Sequence, residues 1–296
     1  MSLDLEQLSY WVERLGLAVL AKATGFAFLI YFGASAVVLL LELRRSRSTA
    51  IIRSRAFMVD VAYAAVYRGG LFEVFFFAVI VNALESQLAF LKLGWLSGLP
   101  PILSVPIFWM LGDLFLYWTH RSYHSIPFLW AFHAVHHAEQ HLNTLSTNRR
   151  HPVEGALNGL TLYLPLAFVL GIETRSWVPW YVASQIFEAL QHAQLDWRFG
   201  PFYKLIVSPV FHSIHHSTEQ RHFDRNFGQM FSVWDYIFGT AAVERERPAK
   251  YGVEGMVIRE TLSDQLFAPL RFLGWRRRSA PADSPDSVRS VNADPG

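Results

Sequence analysis

The stretch His120-Arg-Ser-Tyr-His124-Ser-Ile-Pro-Phe-Leu-Trp-Ala-Phe-His133-Ala-Val-His136-His137 decides how this chain is read. On a helix, side chains three or four residues apart share a side, about 5–6 Å apart at Cβ. His120 and His124 can therefore serve one ion together, and His133 can pair with either His136 or His137. Adjacent residues are turned by roughly 100°, so His136 and His137 do not easily face the same ion, and a helix carrying HxxHH straddles two. The pattern returns at His212-Ser-Ile-His215-His216, with His192 alone in between. Neutral imidazole is the commonest metal ligand among side chains. A lone histidine is most simply a surface or hydrogen-bonded core residue. Three clusters at helical spacing instead predict a two-metal, histidine-rich site.

Composition sets the surroundings. Of 296 residues, 52% are hydrophobic and 17% charged, against about 25% charged in soluble domains. This is the composition of an integral membrane protein, and the apolar segments predict an all-α fold. A net charge of +2 is too small to imply nucleic-acid binding. The chain has no cysteine, which excludes disulfides, thiolate iron–sulfur clusters and cysteine-ligated haem. Met1 to Gly16 carries Asp4, Glu6 and Glu13 and does not read as a signal peptide.

A membrane-spanning helix needs about 20 mostly apolar residues. Five segments approach this: about Leu15–Leu43, Leu71–Leu91, a helix from about Pro101 through Thr119 and ending at His120, Gly155–Ile172 with a kink at Pro165, and Ser176–Gln191. In the last, Trp177, Trp180 and Tyr181 read as an interfacial belt. The expectation is four to five membrane-embedded helices in a multi-pass protein. The basic run Arg44, Arg45, Arg47, Arg53 and Arg55 places the end of the first span in the cytosol. Alternating crossings then put every histidine on the cytosolic face, in a cap that holds the dimetal site. Residues 1–275 read as one membrane-embedded domain with its histidine core at about 101–240. Residues 276–296, rich in Ser, Pro, Asp and Arg, read as a disordered tail.

Many imidazoles and few carboxylates suit Zn, Cu, Fe or Ni and not Mg or Ca. A structural zinc site needs only about four ligands, usually with cysteine among them, and nine histidines exceed that. Two imidazole-held ions at a membrane face fit iron and O2 chemistry on a lipid. An alkyl C–H bond has no acidic proton and no leaving group, so a cofactor has to carry the chemistry.

The ordered motifs HRxxH, HxxHH, an isolated His and HxxHH are followed by Asp224-x-Asn-Phe-Gly and Trp234-Asp-x-x-Phe-Gly-Thr240. With Asp113-Leu-Phe-Leu-Tyr-Trp-Thr-His120, Asn148-Arg-Arg-His151-Pro, Gln191-His192 and Ser208-Pro-Val-Phe-His212, the stretch 113–240 resembles the fatty acid hydroxylase / sterol desaturase superfamily. The resemblance implies a membrane protein with two iron ions, a membrane lipid substrate, O2, and two electrons from an external donor of ferredoxin or cytochrome b5 type. It implies His120, His124, His133, His136, His137, His192, His212, His215 and His216 as ligands. Fatty acid hydroxylases of this group often carry a further histidine four residues after the isolated one. Here that position is Asp196, a candidate oxygen ligand.

Five other residues are candidates for a metal or for the shell behind it. Asp113 lies two turns before His120, and an acid inside an apolar span is costly and usually functional; it either orients an imidazole or pairs helices. Glu188, one turn before His192, invites the same reading. His151 reads as part of the Arg-His-Pro turn, and His141 and His222 as outer-shell or exposed residues. Within the same chemistry, a pterin-dependent ether-lipid monooxygenase of the alkylglycerol type shares these motifs. Two other classes are a membrane metal-binding or transport protein, which needs polar residues at the bilayer midplane, and a zinc hydrolase with Glu139 or Glu154 as base.

Overall fold

The computed structural model describes residues 17–68, 87, 90, 93–160, 169–170 and 174–279. Among them there are helices, turns and loops and no strand; one antiparallel bridge joins Ser217 to Tyr251. The helices are α1 Leu17–Ser46, α2 Arg55–Arg68, α3 Pro101–Ser125, α4 Pro127–His137, α5 Pro152–Asn158, α6 Thr174–His192, α7 Pro209–His215, α8 Val233–Ile237 and α9 Leu262–Ser279.

Proline punctuates the histidine-bearing part. Pro101, Pro127, Pro152 and Pro209 each open a helix, where the missing N–H removes no hydrogen bond. Pro127 also bars Ile126 from the helical region, and Ile126 is extended at φ −103°, ψ 113°. The chain therefore breaks for one residue and turns back, folding His120 and His124 onto His133 and His137. The expected end of α3 at His120 is corrected: nothing stops the helix before Pro127, so it runs to Ser125 and carries both histidines on one rod. Ser208 caps α7 by accepting from the Phe211 N–H at 3.2 Å.

Among the described residues, α3 is long and apolar enough to cross a membrane. α1 and α6 cover the first and last expected segments, with limits shifted by a few residues. The expected Gly155–Ile172 segment begins in α5 and a π turn at 159–160; most of the rest, Pro165 included, lies outside the described residues, as does nearly all of Leu71–Leu91. α9 continues to Ser279, past the expected start of the tail at Arg276; residues 280–296 lie outside the described set.

α3 and α6 meet where α3 has no side chain. A Cβ on Gly112 would stand 2.8 Å from the Trp180 ring. Trp180 is fully buried, edge-on to Phe108 at 5.3 Å, in a cluster with Leu96 and Leu170. Its expected place in an interfacial belt is thus corrected, because Gly112 opens a slot that draws the indole inward. At this end the Trp95 and Leu96 amides donate to the Val169 and Leu170 carbonyls at 3.1 and 3.0 Å. At the other end α6 packs on α1 and α7, and α9 covers α4. There the Glu42 carboxylate near the end of α1 accepts from the Thr144 and Gln194 amides.

Candidate dimetal site

The nine histidines converge from α3, α4, α6 and α7 into two groups. His120, His124, His133, His137 and His215 form one; His136, His192, His212 and His216 form the other. Within each, one ligand-capable nitrogen per residue lies within 4.8 Å of all the rest. The groups adjoin: the His137 and His216 rings stack at 4.4 Å, while His136 and His137 stand at 88° to each other. Each HxxHH is therefore divided between the two groups, as helical periodicity requires.

Main-chain carbonyls fix four of the rings. Nδ1 of His120, His136, His192 and His215 lies 3.0, 3.2, 2.7 and 2.7 Å from the carbonyls of Phe227, Arg149, Glu188 and Arg225. A carbonyl only accepts, so in the neutral ring Nδ1 carries the proton and Nε2 the lone pair. Yet His136 Nε2 and His192 Nε2 face each other at 3.2 Å; His192 Nε2 faces His212 Nε2 at 3.2 Å, and His212 Nε2 faces His216 Nε2 at 3.1 Å. Between His136 and His192, whose protons sit on Nδ1, two lone pairs meet and repel unless a cation stands between them, whereas His212 and His216, with no protein acceptor at Nδ1 among the described residues, can take either tautomer. In the five-histidine group, Nε2 of His120, His124, His137 and His215 is buried with no protein partner among the described residues. This donor set fits two borderline transition-metal ions.

Burial and the neighbouring imidazoles push His136, His137, His212 and His216 well below the ordinary histidine range. Burial takes His215 down to about 3. The rings are thus neutral and ready to donate at physiological pH, which metal ligation requires.

The carbonyls of Arg225 and Phe227 are delivered by a clamped loop. Asp224 and Asn226 are left-handed, at φ 56° and 59°, a region that Asn and Asp enter more readily than other side chains. Asn226 donates to the Phe211 and Ala242 carbonyls and accepts the Ala242 amide, at 2.7–2.8 Å. Asp235 receives the Phe227 and Gly228 amides at 2.8 Å and the Thr240 hydroxyl at 2.7 Å. A Cβ on Gly228 would lie 2.6 Å from the Phe231 carbonyl oxygen, so that position has room only for glycine. The Asp-x-Asn-Phe-Gly and Trp-Asp-x-x-Phe-Gly-Thr motifs are the two halves of this clamp.

Asp113 belongs to it as well. Its carboxylate accepts from the Met230 and Phe231 amides and from Trp234 Nε1 at 2.8, 3.1 and 2.9 Å. It holds the loop that orients His120 and touches no imidazole itself. Glu188 orients His192 through its carbonyl, while its carboxylate takes Arg150 at 2.7 Å. Asp196 is corrected as a candidate ligand: its side chain is half-exposed and pairs with Arg45, outside both groups. His151 caps α5 and contacts the Leu266 carbonyl; His222 contacts Ser217 and Glu244; His141 is exposed. None of these three joins a group.

Two acidic contacts went unread in the sequence. Glu154 Oε1 lies 3.2 Å from His133 Nδ1, an ion-pair distance with the ring N–H not squarely aligned. Burial pushes the Glu154 carboxyl up, but His133 and Arg150 more than offset this and hold it below its usual range. Asp224 Oδ1 is 3.7 Å from His124 Nδ1 and exposed to solvent. Behind His136, the fully buried Arg149 is enclosed by Asp60, Glu139 and Glu260. Asp60 and Glu260 lie far from the histidine motifs in sequence and left no local signal.

The fatty acid hydroxylase family model matches residues 105–240. The chain is 30% identical over 135 residues to an alkylglycerol monooxygenase of Danio rerio, covering 46% of this chain and 30% of that protein. It is 25% identical over 186 residues to an ornithine lipid hydroxylase of Rhizobium tropici, covering 61% and 56%. To a lathosterol oxidase of Rattus norvegicus it is 28% identical over 174 residues, covering 57% and 55%. The chain thus spans under a third of the first relative and a little over half of the other two. No solved structure matches it. Residues 105–240, the stretch that holds both histidine groups, are thus similar to the fatty acid hydroxylases and to the lipid hydroxylases and sterol oxidases matched beside them.

Proposed function

We propose that this chain is a multi-pass membrane oxygenase with a di-iron centre that hydroxylates or desaturates a lipid of sterol or fatty-acyl type. The observation that supports this is the pair of buried imidazole groups whose lone pairs converge on each other. His120, His124, His133, His137 and His215 hold one iron, and His136, His192, His212 and His216 the other. Iron held there would activate O2, the oxidant that an unactivated C–H bond demands. Hydroxylation consumes O2, two electrons and two protons and yields the alcohol and one water. Desaturation consumes the same and yields the alkene and two waters. The electrons come from an external donor of ferredoxin or cytochrome b5 type.

The protein's own task is to hold nine rings still and dry. The carbonyls of Phe227, Arg149, Glu188 and Arg225 fix ring orientation, and burial keeps His136, His137, His212, His215 and His216 neutral. The oxygenase unit takes in most of the chain, with its histidine core at about 101–240 and its histidines on the cytosolic side.

The test is a lipid mass profile of cells producing the wild type against cells producing His136→Ala at equal membrane levels. The expected result is a species gaining one oxygen or losing two hydrogens that the variant does not form. A product that persists in the variant overturns the reading. The similarity to alkylglycerol monooxygenases favours a second reading, a pterin-dependent ether-lipid monooxygenase. Turnover of an alkylglycerol by the purified protein on adding tetrahydropterin alone would select it.

A further inference from the structure

The two histidine groups differ in the charged groups that touch their imidazoles. The five-histidine group has a buried carboxylate against one of its rings: Glu154, 2% exposed, 3.2 Å from His133. The exposed Asp224 adds little, because solvent screens it. The four-histidine group has no carboxylate against its imidazoles among the described residues; its orienting groups are two neutral carbonyls, of Arg149 and Glu188. The positive charge of Arg150 acts on His136 and His212 there, although its guanidinium is partnered by Glu188. Nδ1 of His212 and of His216 has no protein acceptor among the described residues. One group thus offers five imidazoles and a carboxylate against one of them, the other four imidazoles oriented by neutral carbonyls, with the Arg150–Glu188 ion pair beside them.

We propose that Glu154 polarises the pair, so that the five-histidine group takes the first divalent cation and holds it tightly, while the four-histidine group fills second and empties first. This rests on the dimetal reading above and deepens it. A carboxylate behind a ligating imidazole raises the ring's basicity and steadies its orientation, and loss of such a partner typically costs about 10–100-fold in metal affinity. Glu154 is a positioning residue here: it acts on the ion through His133 and does not touch it.

The experiment is anaerobic titration of the metal-free, full-length protein with ferrous iron against a competing chelator, reading bound metal by elemental analysis. The wild type should bind two equivalents in two resolved steps. Glu154→Gln keeps an oxygen near His133 and removes the charge; it should weaken the first step by about 10–100-fold and leave the second nearly unchanged. Two further variants assign the steps without relying on that substitution. His212→Ala should keep the tight equivalent and lose the weak one, and His133→Ala should do the reverse. Two equivalents of equal affinity, an unaltered first step in Glu154→Gln, or loss of the tight equivalent in His212→Ala would each overturn the polarity while leaving the dimetal reading standing. A folded wild type that takes up no metal would overturn both.

Discussion

Asp113 sits in an apolar helix with no exposed surface and accepts three hydrogen bonds from a loop more than a hundred residues away. An asparagine there has one acceptor oxygen and presents an NH2 group that cannot accept. Asp113→Asn should therefore leave at least one of the Met230, Phe231 and Trp234 donors unpaired, at a cost of about 1–3 kcal/mol. The expected outcome is a lower melting midpoint in detergent, with bound metal falling because the loop presents the Phe227 carbonyl to His120. An unchanged midpoint would mean that Asp235 alone holds the loop. At this scale the sequence carried the sorting of the histidines into two groups, because imidazoles at three- and four-residue spacing need no tertiary knowledge to be placed on helix sides. The acceptors behind them were hidden: a main-chain carbonyl looks the same at every residue, and the partners of Asp113 are remote along the chain. Asp196 misled for a related reason. Its four-residue spacing from His192 counts only while the helix continues, and α6 ends at His192.

Between elements, the short step at Ile126 and the slot at Gly112 do most of the positioning. Pro127 carries a signal for the first, since the residue before proline avoids the helical region, but the helix end expected at His120 passes over it. The second was illegible, because a glycine in an apolar helix does not say which side chain it faces. Gly112→Ala places a methyl 2.8 Å from the Trp180 ring. Either the indole or all of α6 has to move, and overpacking of this kind costs about 1–3 kcal/mol. Since α6 carries His192, metal retention in the four-histidine group should fall together with the melting midpoint. Gly112→Ala combined with Trp180→Phe should recover part of both, because residues in contact couple. Simple additivity of the two single effects would show that the slot does not set the spacing of α3 and α6.

Across the whole molecule, α1, α3 and α6 point the same way. The Gly112–Trp180 contact lies midway along α3 and in the first half of α6, and the histidines of both helices meet toward their C-terminal ends. At that histidine end Arg45 reaches Asp196, and Glu42 takes the Gln194 amide. A chain whose three long helices run parallel has to return to the far end twice, once between 47 and 100 and once between 126 and 173. The expected four to five spans would supply two such returns, but the segments that would make them lie largely outside the described residues. The parallel arrangement also puts the basic run that follows α1 beside the histidine groups, so the cytosolic side proposed for the one by the positive-inside rule is a proposal for the other as well. Because the chain has no cysteine, one introduced thiol at a time reports this without background. Arg53→Cys and Glu246→Cys lie at exposed positions at the histidine end; Gly98→Cys is exposed just before α3, where a Cβ meets nothing within 4 Å. In intact cells a membrane-impermeant maleimide should label position 98 and spare 53 and 246, and permeabilisation should expose all three. Labelling of 98 and 246 from the same side would mean that α3 does not cross the bilayer. Labelling of 53 and 98 together, with 246 protected, would break the link between the basic run and the histidine face on which the cytosolic assignment depends.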